Sequence, residues 1–103
     1  MPTLTEFQTL RSAVGGDGNP LKAIGQGTGG GTGINTSGFS ALLSGSRWND
    51  GHFDSFGHYA HFWSSTQGDV AEARNLRLWG HANNIFLDNY YNDYGFSVRC
   101  LKD

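Results

Sequence analysis

Residues 72–88 read Glu-Ala-Arg-Asn-Leu-Arg-Leu-Trp-Gly-His-Ala-Asn-Asn-Ile-Phe-Leu-Asp, and this run decides the fold class. Successive side chains of a strand point to opposite faces. Leu76 and Leu78 therefore alternate with Asn75, Arg77 and Trp79, and after a break Ile85 and Leu87 alternate with Phe86 and Asp88. Gly80-His81-Ala82-Asn83-Asn84 supplies turn chemistry between the two runs. The pattern predicts an antiparallel hairpin with Leu76, Leu78, Ile85 and Leu87 inside and the polar and aromatic set outside.

Strand signals continue on both sides. Upstream, Tyr59 to Ser65 sets Tyr59, His61 and Trp63 against Ala60, Phe62 and Ser64, which predicts a strand covered on both faces. Downstream, Asn89 to Asp93 reads as a polar turn, and Tyr94, Phe96, Val98 and Cys100 alternate inward on a last strand. At the other end, Thr3 and Glu6 form a capping box, Leu4, Phe7, Leu10 and Val14 fall on one helical face, and Gly15-Gly16 ends the helix. One helix followed by short antiparallel strands and long loops predicts an α+β domain spanning 1–103.

Between these regular ends lie 13 of the 16 glycines, in residues 15–57. The run Gly25-Gln26-Gly27-Thr28-Gly29-Gly30-Gly31-Thr32-Gly33 lacks the Gly-Lys-Ser/Thr ending of a phosphate loop and has no apolar strand before it. It reads as a flexible surface loop. Trp48, Phe53 and Phe56 sit among glycines further on, where aromatic rings are expected to pin a long loop by burying themselves.

Composition narrows the function classes. Seven basic against nine acidic residues give a net charge of −2, with no basic cluster to suggest nucleic acid or an anionic membrane. No apolar run approaches a membrane span, and the N-terminus shows no signal-peptide pattern. Cys100 is alone, so no intrachain disulfide and no multi-cysteine metal site is expected. His58 and His61 are an odd number apart on a strand, so the four histidines read as scattered and no transition-metal site is expected. No nucleophile motif or convergent carboxylate pair is evident, and the chain does not read as an enzyme.

Four blocks carry a family resemblance: Thr-Glu-Phe-Gln-Thr-Leu (5–10), Asn-Thr-Ser-Gly-Phe-Ser-Ala-Leu (35–42), Phe-Trp-Ser-Ser-Thr (62–66) and Tyr-Gly-Phe-Ser-Val-Arg-Cys-Leu-Lys-Asp (94–103). In this order they resemble the Fibrobacter-type major paralogous domain across nearly the whole chain. That resemblance implies a C-type-lectin-like fold. It also implies that the family's usual first strand and its further cysteines are missing ahead of Pro2. The 94–100 strand would then present an open edge, to be covered by a second copy or another chain, unless the fold closes up differently. Formylglycine-generating enzymes share this fold, but their paired-cysteine chemistry cannot come from one thiol.

The expected site is the outer face of the hairpin with its neighbours: Arg74, Asn75, Arg77, Trp79, His81, Phe86, Asp88, Tyr90 and Tyr91. Trp, Tyr and Arg dominate binding hot spots. The expectation is a non-catalytic module that binds a protein or glycan on a cell surface, itself extracellular, on a cell surface or on a phage virion. The alternative is an assembly subunit whose aromatic face is an interface. A third reading is a calcium-dependent lectin, because Trp48-Asn49-Asp50 resembles the calcium-carrying Trp-Asn-Asp of sugar-binding lectins, although the companion proline loop is absent. Apart from that calcium at Asn49 and Asp50, no cofactor is expected. Similar domains also serve as the variable proteins of diversity-generating retroelements, in which asparagine codons are typical targets. Five of the eight asparagines (Asn75, Asn83, Asn84, Asn89, Asn92) precede the C-terminal block.

Overall fold

The computed structural model describes residues 1–68 and 70–100; Asp69 and residues 101–103, the end of the C-terminal block, lie outside it. Helix α1 (Leu4–Ala13) starts on the expected capping box, with Thr3 Oγ1 accepting from the Glu6 amide at 3.2 Å and Glu6 Oε1 accepting from the Thr3 amide at 2.9 Å. It closes through Gly15 and Gly16, both with positive φ, and the Gly16 amide donates to the Arg11 carbonyl at 2.9 Å. Phe7 is the helix residue that enters the core, with Leu10 and Val14 packed beside it.

Among the described residues five strands follow: β1 (Ser46–Arg47), β2 (Phe53–Asp54), β3 (Tyr59–Gln67), β4 (Glu72–Trp79) and β5 (Ile85–Tyr91). The main sheet has the order β3-β4-β5, antiparallel throughout, and β1-β2 forms a separate pair. The predicted hairpin is β4-β5, in the register Leu76↔Leu87 and Leu78↔Ile85. Adding β3 places Phe62 beside Leu76 and Ala60 beside Leu78, so apolar rows line one face. That face packs with Phe7, Leu21, Ala41 and Leu43 into the core. Fully burying a leucine such as Leu76 or Leu78 contributes roughly 2 kcal/mol. The described residues thus form an α+β fold, one α-helix with small antiparallel sheets.

Three expectations need correction. The last strand does not form. Residues 94–100 make an antiparallel bridge from Gly95 to Arg47 and a parallel bridge from Ser97 to Phe62, two partners of opposite sense that permit no continuous ladder. Without a ladder the inward alternation stops at Phe96: Val98 is 53% exposed and Cys100 is exposed, so the thiol is not a core residue. On one side this backbone is bonded to β3, the Ser97 amide donating to His61 O and the Trp63 amide to Ser97 O, both at 3.0 Å. Among the described residues, β3 and β5 are the outer strands of the main sheet, and β3 makes isolated bridges to Gly45 and Ser97 on its outer side.

The second correction concerns the aromatic loop. Phe53 and Phe56 are 81% and 83% exposed, so they pin nothing. A β1-β2 pair of two residues per strand is too small to offer rings a covered face.

The third is the glycine-rich loop, which is docked rather than flexible. Lys22, fully buried, donates from Nζ to Asn19 Oδ1 (3.0 Å) and to the carbonyls of Gly31 (2.8 Å), Trp79 (2.6 Å) and Ala82 (2.9 Å). One ammonium thereby ties the loop to the β4-β5 turn, helped by the Thr28 amide on Gly80 O at 2.8 Å. A buried charge must be fully hydrogen-bonded, and four oxygens achieve this without a carboxylate. Gly31 is required here, since a Cβ would run into the Gly80 carbonyl and the Ala82 amide nitrogen.

Candidate functional site

The outer face of the sheet carries His61, Arg77 and Phe86 in one row and Trp63, Asn75 and Asp88 in the next. The segment 94–97 folds back over this face. Phe96 lies 4.3 Å from the His61 ring and 4.4 Å from Trp63, and Tyr90 stands edge-on to both His61 and Phe96. The outer face is therefore partly a second core, completed by Phe96, a ring that the sequence pattern assigns inward.

What stays open is a cleft of about 140 Å³ between this layer and the 46–55 segment, lined by Ser46, Trp48, Ser55, Tyr59, His61, Arg77, Tyr90, Tyr94 and Phe96. Arg77 supplies its charge: the guanidinium sits 4.3 Å from the centre of Phe86 and 5.3 Å from that of Tyr59, with Nε 3.1 Å from Asp88 Oδ2. Packing between two rings and a carboxylate holds the guanidinium in place. Trp48 stacks on His52 and contacts Tyr94, bringing an exposed indole to the rim.

His61 is buried at the base, and its Nδ1 has no hydrogen-bond partner. Burial lowers its pKa to about 4, against an opposing contribution from the Asn75 side chain, so at neutral pH the imidazole is uncharged. Buried polar atoms are normally paired.

The nine expected site residues divide. Arg77, Phe86, Asp88 and Tyr90 build the cleft or its supports, and Trp79 stacks against Tyr59 at 6.3 Å. Asn75 is fully buried, donating from Nδ2 to the Asp88 carbonyl at 3.1 Å, and cannot contact a ligand. Arg74 has the parity of Leu76, hence the opposite face, and spends Nη2 on the Leu87 carbonyl at 3.1 Å; Tyr91, at the end of β5, keeps its ring 6.2 Å from that of Tyr94. His81 lies at the turn, away from the cleft lining. Sequence reasoning missed Trp48, Tyr59, His61, Tyr94 and Phe96 as one group. The parity of Tyr59 and His61 was the available signal, while the return of 94–97 had none.

The histidines are less scattered than their spacing implies. His58 precedes β3, and its Nδ1 lies 2.9 Å from Nε2 of His81, whose Nδ1 in turn meets Thr28 Oγ1 at 3.1 Å. Asn49 and Asp50 occupy a tight turn, closed by the Gly51 amide on the Trp48 carbonyl. Asp50 Oδ1 accepts from the His52 amide at 3.1 Å and contacts the His52 ring, and these bonds hold the carboxyl below the usual carboxylate range. Among the described residues no three His, Cys, Asp or Glu side chains converge. No helix there is long and apolar enough to cross a membrane.

No curated protein and no solved structure matched the chain. The family model described as the Fibrobacter succinogenes major domain matches residues 1–102, and on that near-complete coverage the chain belongs to this family.

Proposed function

We propose that the chain is a non-catalytic binding module of C-type-lectin-like architecture, displayed outside the cell, on a cell surface or on a phage virion. Its ligand is a protein or glycan on a cell surface, held at the cleft between Trp48, Arg77 and Tyr94. One observation carries this reading: a cleft walled by aromatic rings holds the Arg77 guanidinium between the Tyr59 and Phe86 rings. Aromatic anchors around a few convergent polar groups are the usual composition of a binding site. The test is binding of the labelled domain to whole cells and to a glycan array. Trp48→Ala should weaken any binding by roughly 30-fold, the hot-spot scale for tryptophan, without moving the melting temperature. Binding unaffected by Trp48→Ala removes the cleft from the proposal.

A diversified receptor-binding protein is a narrower form of the same reading. Asn83, Asn84, Asn89 and Asn92 are all exposed and could change freely, whereas buried Asn75 could not.

The second reading, an assembly subunit, is favoured by Phe53 and Phe56. Large apolar side chains this exposed mark contact surfaces when clustered, and Leu42 is exposed beside Phe56 at the neighbouring groove. Mass in solution separates the readings: a self-associating chain that turns monomeric as Phe53→Ser with Phe56→Ser is an assembly subunit.

A further inference from the structure

We infer that His58 and His81 form a divalent transition-metal site, with Thr28 as its outer partner. The two ring nitrogens already lie 2.9 Å apart. In a tetrahedral site with metal–nitrogen bonds of about 2.0–2.1 Å, such nitrogens lie roughly 3.3 Å apart, so rotation of two exposed rings accommodates the ion.

The rings are delivered by backbone that is itself fixed. The Gly80 amide donates to the His58 carbonyl at 2.7 Å, and the Thr28 amide to the Gly80 carbonyl at 2.8 Å. Three segments distant in sequence are thus locked at one point. Ligating histidines characteristically donate their second ring N–H to a neighbouring oxygen, which fixes the tautomer. Thr28 Oγ1, 3.1 Å from His81 Nδ1, is placed to accept that proton and leave the Nε2 lone pair for the metal. The hydrogen that His58 Nδ1 shares with His81 moves through solvent to His58 Nε2, so no net charge is left behind.

With two imidazoles and no carboxylate, the donor set suits copper, nickel and zinc and disfavours calcium and magnesium. The remaining positions are open to water or to an incoming donor. Lys22, whose Nζ binds the carbonyls on either side of Gly80–His81, places a positive charge nearby that opposes a dication and favours an anionic donor in an open position.

The experiment uses untagged, chelator-treated protein, with nickel titrated by calorimetry and trace copper followed by amide line-broadening in NMR. One nickel should bind per chain, and broadening should centre on residues 28, 58 and 80–82. His58→Ala and His81→Ala should each reduce affinity at least tenfold, and Thr28→Val by about tenfold, the usual effect of an outer partner, with melting temperatures in chelator unchanged. Broadening centred on residues 50–52, or equal nickel binding by the wild type and the double variant, overturns the assignment.

Discussion

The carbonyl oxygen of Trp79 lies 2.6 Å from Nζ of Lys22, a buried ammonium joining the end of β4 to a loop more than fifty residues away. Lys22→Met keeps most of the stem and removes every donor, leaving the Gly31, Trp79 and Ala82 carbonyls unpaired. A cost of about 2–4 kcal/mol follows from the penalty of buried unpaired acceptors. In a domain of this length the melting temperature should fall by roughly 10 °C or more. A thermal melt that shifts by under ~2 °C would show that Lys22 is not a structural clamp.

Neighbouring glycines should respond oppositely. Gly31→Ala drives a methyl group into the Gly80 carbonyl, whereas a Cβ at Gly30 meets nothing within 4 Å. Overpacking costs about 1–3 kcal/mol; Gly30→Ala should be neutral or stabilise by roughly 0.5 kcal/mol through the unfolded chain. Paired denaturant titrations measure both.

His61 makes stability depend on acidity. Its folded pKa is lowered to about 4, against 6.5 for an unperturbed histidine, so between these values the unfolded chain binds a proton that the folded chain does not. Its contribution is complete above pH 6.5, declines as pH falls through that window and levels off below about 4. The shift corresponds to about 3 kcal/mol. His61→Gln should flatten this part of the acid limb in urea titrations at pH 7 and pH 4.5. An unchanged slope would mean that the imidazole is already charged when folded.

Natural variants offer a further check. Among source-population sequences of the gene, a diversified surface predicts changes concentrated at Asn83, Asn84, Asn89 and Asn92, with Asn75 invariant because its amide is buried under the second aromatic layer. Even variation along the gene would dismiss diversification while leaving the binding module intact.

Calcium should not stabilise the protein. Asp50 already spends one carboxylate oxygen on its own turn, and calcium needs six to eight oxygens. Millimolar calcium should leave the thermal melt in place. A rise equivalent to about 2.7 kcal/mol, expected for an ion at a hundred times its dissociation constant, would revive the lectin reading.

The features legible in the amino-acid order are those with a local period or a local partner. Thr3 and Glu6 are three residues apart, Leu76 and Leu78 two, and the β4-β5 turn lies between its strands, so helix, hairpin and inner face could all be read directly. The cleft was half legible: Arg77, Phe86 and Tyr90 belonged to the predicted outer face, but Tyr94 and Phe96 reach it through a chain reversal that no short-range pattern encodes. Phe53 and Phe56 misled because aromatic residues among glycines normally find cover, and here the strand pair is too short to provide it. Lys22 left one trace, being the only charged residue between positions 18 and 46.

Three of the four oxygens that hold the Lys22 ammonium belong to the main chain. Its grip is accordingly blind to which side chains stand at positions 79 and 82. Residues at the tip of the β4-β5 turn can be exchanged, and the surface they present rewritten, while the peptide backbone beneath keeps the same anchor.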